Sequence, residues 1–96
     1  RYYLKRGHYV AASVRFSNVI KNFPRTSHVP AALHRLTEVY LSLGVNNEAQ
    51  NAAAVLGYHF PDSRWYRDSY RMLVDRELTP EEDPSSWIGR ALDKVF

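Results

Sequence analysis

One segment of the chain recurs farther along it at a fixed spacing. Residues 7–24 return, degraded but recognisable, as residues 44–61, with every matched pair 37 positions apart. The matched pairs are Gly7 and Gly44, Ala12 and Ala49, Phe16 and Ala53, Val19 and Leu56, Phe23 and Phe60, and Pro24 and Pro61. A period of this length is typical of stacked supersecondary units, because one unit cannot bury its own apolar face. The repeat therefore predicts a solenoid and points to a binding scaffold.

The residue types within each unit predict helical hairpins of the tetratricopeptide (TPR) class. Gly7 and Gly44 are expected to end a helix, since a residue without a Cβ adopts the left-handed conformation most readily. Pro24 and Pro61 are expected to stop the following helix, because a proline ring cannot continue it. The predicted fold class is all-α: a TPR helical-hairpin solenoid of C-terminal repeats with a capping helix and a short tail helix.

Five helices and the tail helix follow from the apolar periodicity. A truncated first helix is expected to end near Arg6, and a second to run over about residues 8–22. The next three are predicted to begin at capping side chains, namely Thr26 or Ser27, Asn46 or Asn47, and Asp62 or Ser63. The residues expected to face the core on the second helix are Tyr9, Ala12, Phe16, Val19, Ile20 and Phe23. On the third helix they are Val29, Leu33, Leu36, Tyr40 and Leu43. On the fourth helix they are Ala49, Ala53 and Leu56.

The helix that begins near Ser63 is predicted to cap the array. Its expected buried stripe is Tyr66, Tyr70, Leu73 and Val74, and its other face carries Arg64, Arg67, Asp68, Arg71 and Asp75. A solenoid needs a polar outer face at its end, which this charged face would supply. No partner helix is expected after it, because Pro80 and Pro84 surround the position equivalent to Gly44.

Two segments are expected along the chain. Residues 1–76 are predicted to form the C-terminal TPR repeats with the capping helix, as a fragment of a longer array, and residues 77–96 an acidic linker and a short amphipathic helix. Trp87 and Phe96 of this tail helix are large apolar groups for so small a core. They are expected either to pack back on the capping helix or to dock on a neighbouring subunit.

Charge is distributed unevenly along the sequence. Residues 1–35 contain seven Lys or Arg and no Asp or Glu, whereas residues 36–96 contain six basic against ten acidic residues. A basic surface attracts nucleic acid, anionic lipid or an acidic protein face. We favour an acidic protein partner and expect no nucleic acid, because no nucleic-acid-binding motif is present. No apolar run approaches the length of a membrane-spanning helix.

Catalysis and metal binding find little support in the sequence. The four histidines show no metal-ligand spacing, cysteine is absent, and no serine lies in a nucleophile-elbow context. The acidic run at residues 81–83 lies between two prolines and is expected to be a solvated linker. We therefore predict a non-enzymatic protein with no catalytic residue, no metal site and no cofactor.

More specific motifs extend over about residues 2–74. They include Tyr2-Tyr3-Leu4-Lys5-Arg6-Gly7, Ala52-Ala53-Ala54-Val55-Leu56-Gly57-Tyr58 and Phe60-Pro61-Asp62-Ser63, with further matches at residues 8–12, 15–16, 22–24, 32–33, 35–36, 38–40, 43–44, 48–50, 65–66 and 68–70. These motifs resemble the C-terminal repeats of the BamD family, also called YfiO or ComL. Its members are outer-membrane lipoproteins of the β-barrel assembly machinery (BAM). Residues 86–91 resemble a C-terminal extension found in a subset of the family.

The resemblance implies a function by binding. Family members have a lipidated N-terminal Cys, which this sequence does not include, and five TPRs on the periplasmic side of the outer membrane of Gram-negative bacteria. Their C-terminal repeats contact the periplasmic (POTRA) domains of the barrel protein BamA. Other BAM lipoproteins and unfolded outer-membrane proteins are further expected partners. The membrane itself is expected to be reached only through the lipid anchor.

The resemblance also implies a partner-binding residue. In the family, an Arg on the second helix of the penultimate repeat contributes to the BamA contact, and Arg15 is the matching position. Arg15 lies off the predicted apolar stripe, so the helical pattern also leaves it free for a partner. The predicted partner-binding residues are Arg15, Asn18, Lys21 and Asn22, with Arg15 pairing with a carboxylate of BamA. The alternative is that Arg15 bonds the neighbouring helix.

Two other functions remain open. A generic TPR adaptor would bind acidic or C-terminal peptides through Lys, Arg and Asn on the inner helix faces. Arg35 fits that role, but Ala31 and Glu38 occupy positions where a basic or amide group would be needed. The second alternative is a cell-envelope TPR protein that binds peptidoglycan or regulates an enzyme. A lipidated N-terminal Cys would favour the outer-membrane function over this alternative.

Overall fold

The computed structural model describes the backbone of residues 2–93 and the side chains of residues 5–93. The described chain is all-helical, which confirms the predicted fold class. Its elements are α1 (Tyr2–Asn22), α2 (His28–Leu43), α3 (Asn46–His59), α4 (Arg64–Val74) and α5 (Trp87–Asp93). Each of the first three helices contacts the next one along the chain, and α2 also contacts α4. This is the stacking expected of successive TPR hairpins.

The two glycines of the repeat play different structural parts. Gly44 follows α2 with φ 79°, and its N–H donates to the Leu41 carbonyl at 3.1 Å. The Val45 N–H donates to the Tyr40 carbonyl at 2.9 Å, which completes a Schellman motif. The predicted break at Gly7 is wrong, because α1 continues through it to Asn22. An isolated glycine costs a helix interior only about 1 kcal/mol, and a helix of this length tolerates that cost.

Only one of the predicted N-terminal caps forms. The Ser63 hydroxyl accepts a hydrogen bond from the Trp65 N–H at 3.1 Å, so this cap is confirmed. Ser27 precedes α2 without a side-chain cap bond, because its backbone is helical instead of extended. The Thr26 hydroxyl donates backwards to the Phe23 carbonyl. Both asparagines predicted to cap α3 already lie inside that helix, and Val45 precedes it.

The core lies between α1, α2 and α3. The predicted inner residues Val29, Leu33 and Leu36 of α2 are fully buried, as are Ala49 and Ala53 of α3. Of the inner residues predicted for the first hairpin, Ile20 of α1 is fully buried, whereas Phe23, just after α1, is exposed.

The buried stripe predicted for α4 is partly wrong. Leu73 is fully buried, but Tyr70 is 45% exposed and Val74 is 47% exposed. The second buried residue of α4 is Ser69. The cause is that α4 contacts only α2 and α3 among the described helices, so its remaining face has no cover. The outer face of the capping helix is therefore more apolar than predicted.

The tail packs back on the chain, but onto α1 and α3 instead of the capping helix. Ile88 and Leu92 of α5 are fully buried in the same cluster as Ile20 and Leu56. Trp87 is half-buried against this cluster, whereas Phe96 lies outside the described residues. Across residues 2–93, none of the helices has both the length and the apolar character that crossing a membrane requires.

The segment before α5 is held against α3 by polar side chains. Gln50 donates to the Thr79 carbonyl at 2.9 Å. The buried Asn51 side chain donates to the Ser86 hydroxyl at 2.5 Å and accepts from the Asp83 N–H at 2.7 Å. The predicted linker is therefore ordered along α3, although its carboxylates remain exposed.

Candidate partner-binding surface

The four predicted partner-binding residues lie on the C-terminal half of α1, and all four are exposed. Asn18 and Asn22 follow Arg15 by three and seven positions, so the three side chains share one face of the helix. Lys21 lies on a different side, where its Nζ is 4.7 Å from the centre of the Trp87 ring. We call Arg15, Asn18 and Asn22 the Arg15 face.

Burial of the apolar side of α1 positions Arg15. The neighbouring residues Phe16, Val19 and Ile20 pack against the core cluster, which turns Arg15 towards solvent. Within residues 5–93, its guanidinium forms no hydrogen bond or ion pair, and it lies 5.9 Å from the ring of the adjacent Phe16. The alternative in which Arg15 bonds the neighbouring helix has no support in the described contacts. A charged group in this setting keeps its full capacity to pair with a carboxylate.

A cleft between α1 and α2 lies beside this face, and the sequence patterns did not reveal it. Its volume is about 380 Å³, and its lining residues are Phe16, Val19, His28, Ala31, Ala32 and Arg35. The Arg35 guanidinium is 3.2 Å from the Glu38 carboxylate and 5.7 Å from the centre of the Trp65 ring. Because Arg35 is already paired, the cleft is a poor clamp for a carboxylate of a generic peptide.

A buried His–Ser pair joins α2 to α4. The His34 Nδ1 lies 2.8 Å from the Ser69 Oγ, and the His34 ring is 5.2 Å from the Trp65 ring. Burial lowers the pKa of His34 below its ordinary value, so the neutral imidazole is favoured. Both residues are buried, which keeps a substrate away from the Ser69 hydroxyl. The pair is therefore suited to joining helices and not to nucleophilic catalysis.

The acidic segment before α5 stabilises its own turn. The Asp83 carboxylate accepts hydrogen bonds from the N–H and hydroxyl of Ser85, at 3.0 and 2.7 Å. These bonds lower the pKa of Asp83. Among the described residues, no group of three or more His, Asp or Glu side chains is arranged to hold a metal ion.

Comparison with known proteins places the chain in a family. The model of the YfiO outer membrane lipoprotein family matches residues 1–56. The chain belongs to the YfiO family. Its match includes α1, α2 and most of α3, and therefore the whole Arg15 face. No solved structure matches the chain.

Several YfiO relatives carry the name outer membrane protein assembly factor BamD. The chain is 52% identical over 84 residues to the BamD of Caulobacter vibrioides, covering 88% of the chain and 28% of that protein. It is 45% identical over 73 residues to the BamD of Rickettsia prowazekii, covering 76% of the chain and 29% of that protein. The chain thus spans less than a third of the length of the relatives it matches.

Proposed function

We propose that the chain is part of a non-enzymatic scaffold subunit of the outer-membrane β-barrel assembly machinery, acting on the periplasmic face of the outer membrane. In this proposal its TPR helices bind the periplasmic POTRA domains of BamA. Family membership supports this assignment, as do the relatives named as assembly factors. Other BAM lipoproteins and unfolded outer-membrane proteins are further proposed partners.

The composition and exposure of the Arg15 face are the main support for this proposal. It presents an exposed guanidinium without a counter-charge in the described chain, next to two amide side chains. A guanidinium forms two parallel hydrogen bonds with a carboxylate, and the amides of Asn18 and Asn22 both donate and accept. This combination suits a polar protein surface that carries an acidic residue.

Binding requires little rearrangement of this surface. Arg15 lies on a continuous helix whose opposite side is packed in the core, so the backbone of the site is already ordered before a partner arrives. The basic residues of α1 attract an acidic partner and set its orientation. Lys21, held over Trp87, contributes to this positive field from the side of the Arg15 face.

The test is a pull-down with the soluble POTRA domains of the cognate BamA. We expect the wild-type chain to bind and Arg15→Glu to weaken binding by at least about tenfold, since two carboxylates would then face each other. Arg76→Glu is the matched control, because it reverses an exposed charge just beyond the C-terminal end of α4. Circular dichroism establishes that each variant folds.

Each outcome of this pull-down has a definite meaning. If Arg15→Glu and the wild type bind equally well, the interface lies elsewhere on the helices. If the folded wild type does not bind, the proposed partner is wrong.

A further inference from the structure

The exposed side of α4 carries an apolar ridge. Tyr66, Tyr70 and Val74 are spaced four positions apart, so they follow one another along a single face of the helix. Arg67 and Arg71 flank them, and the five side chains line a groove of about 500 Å³. We call these five residues the α4 ridge.

The internal repeat shows that a helix ordinarily covers this face. The 37-position offset relates Tyr66, Tyr70 and Val74 to residues of α2 that are each 0% exposed, namely Val29, Leu33 and Thr37. In α2 this face is buried because both α1 and α3 contact the helix. On the equivalent face of α4, Tyr66 is partly buried against the core cluster, whereas Tyr70 and Val74 are exposed.

The described tail does not supply the missing helix. After α4 the chain turns through Glu77, which has φ 59°, and the Leu78 N–H donates back to the Leu73 carbonyl at 2.8 Å. Gln50 and Asn51 then hold the following segment along α3, and α5 is buried against α1 and α3. Within the described residues, the α4 ridge is therefore not covered by another helix.

The charges of the ridge indicate the chemistry of that molecule. Arg67 and Arg71 are exposed, and neither forms an ion pair within residues 5–93. The Arg67 guanidinium donates to the Asp62 carbonyl at 3.1 Å, which leaves its charge uncompensated. Tyr and Arg side chains around an apolar centre are also the residues that most often dominate binding energy at protein interfaces.

We propose that the α4 ridge binds an amphipathic helix of a partner protein, with an apolar stripe on the ridge and Asp or Glu beside Arg67 and Arg71. A row of side chains four positions apart fits the groove between equivalent rows on another helix. Tyr70 and Val74 bury their exposed area against this helix, and its carboxylates neutralise the two guanidinium groups. The partner helix thereby occupies on α4 the position that α3 occupies on α2, since α3 already contacts α4 as α1 contacts α2.

The α4 ridge is distinct from the Arg15 face. The two surfaces lie on α4 and α1, which make no contact with each other. A partner on one surface therefore leaves the other accessible, and the chain is suited to joining two proteins. Loss of binding at one surface has no direct effect on the other, so the two proposals fail independently.

The test uses designed helical peptides of about 16 residues, long enough for four turns. One peptide has a Leu and Ile stripe flanked by Glu, and a second has Lys in place of each Glu. Isothermal titration calorimetry with the intact chain is expected to show binding of the Glu peptide alone. The double substitution Arg67→Ala and Arg71→Ala, and separately Tyr70→Ala, should each weaken binding about tenfold or more. Arg90→Ala, at an exposed position of α5, is the matched control and should leave the affinity unchanged.

Three results would overturn the proposal. The first is equal binding of the Lys and Glu peptides, which would show that the two arginines play no part. The second is the absence of peptide binding by a chain that circular dichroism shows to be folded. The third is a wild-type dimer in sedimentation experiments that Tyr70→Ala dissociates, because the occupant would then be a second copy of the chain.

Discussion

At the scale of single residues, His34 makes the stability of the chain depend on pH. The imidazole is buried between α2 and α4 and bonded to Ser69. Because burial lowers its pKa, the unfolded chain binds a proton at a higher pH than the folded chain does. The stabilisation is therefore complete above the unfolded pKa of about 6.5 and is lost as the pH falls towards the lower folded pKa.

We expect the free energy of unfolding to be smaller at pH 5 than at pH 7.5. Urea denaturation of the wild type and of His34→Gln at both values measures this, since Gln keeps a hydrogen-bonding side chain that does not titrate. His34→Gln should show a smaller decrease in the free energy of unfolding between pH 7.5 and pH 5 than the wild type does. His28→Gln, at an exposed position, serves as the control. An equal decrease for the wild type and His34→Gln would contradict the assignment.

Arg15 and Lys21 show how much of the candidate site can be predicted from the spacing of residues in the sequence. Arg15 was expected on the open side of α1 because it lies off the apolar stripe, and the structure places it there. Lys21 was grouped with it by proximity in sequence, whereas Trp87 from the distant tail lies beneath its ammonium group. Helical spacing predicts the direction of a side chain, but not which part of the chain folds against it.

At the scale of the helices, Gly7 and Gly44 offer a direct comparison. A side chain at Gly44 would be held in the left-handed region, whereas Gly7 lies in a regular helix with nothing within 4 Å of an added Cβ. We expect Gly44→Ala to lower the free energy of unfolding by about 1 kcal/mol and Gly7→Ala to raise it by about 0.5–1 kcal/mol. Thermal or urea denaturation of both variants measures the difference. If both variants shifted in the same direction, the helix boundaries would be in error.

For α4, the apolar periodicity of the sequence does not determine which face of the helix is buried. Leu73 and the row formed by Tyr66, Tyr70 and Val74 are adjacent on the helix, and either could have been the buried side. The packing of α2 and α3 selects Leu73, together with the small Ser69. In contrast, the sequence correctly predicts Val29, Leu33 and Leu36 of α2 as buried, because α1, α3 and α4 all contact this helix. Tyr40 and Leu43 of the same predicted stripe are only partly buried.

At the scale of the whole molecule, the tail contributes to the core. Ile88 of α5 is fully buried, whereas Arg90 is exposed on the same helix. We expect Ile88→Ala to lower the free energy of unfolding by about 2–4 kcal/mol, through lost apolar burial and the cavity left behind. Arg90→Ala should change it by less than about 0.5 kcal/mol. Chemical denaturation measures both, and equal stability of Ile88→Ala and wild type would show that α5 does not dock as described.

Because α5 packs on both α1 and α3, local unfolding of the molecule should differ from that of an ordinary solenoid. An ordinary solenoid is a line of neighbours, and it frays from either end because each terminal unit has one neighbour. Here α1 contacts α2, α2 contacts α3, α3 contacts α5, and α5 contacts α1 again. These contacts form a closed cycle, so α1 cannot detach without breaking two interfaces at once. α4 lies in a second cycle, with α2 and α3, so none of the described helices can open by breaking a single interface. The backbone amides of these helices should therefore be protected together from exchange with solvent.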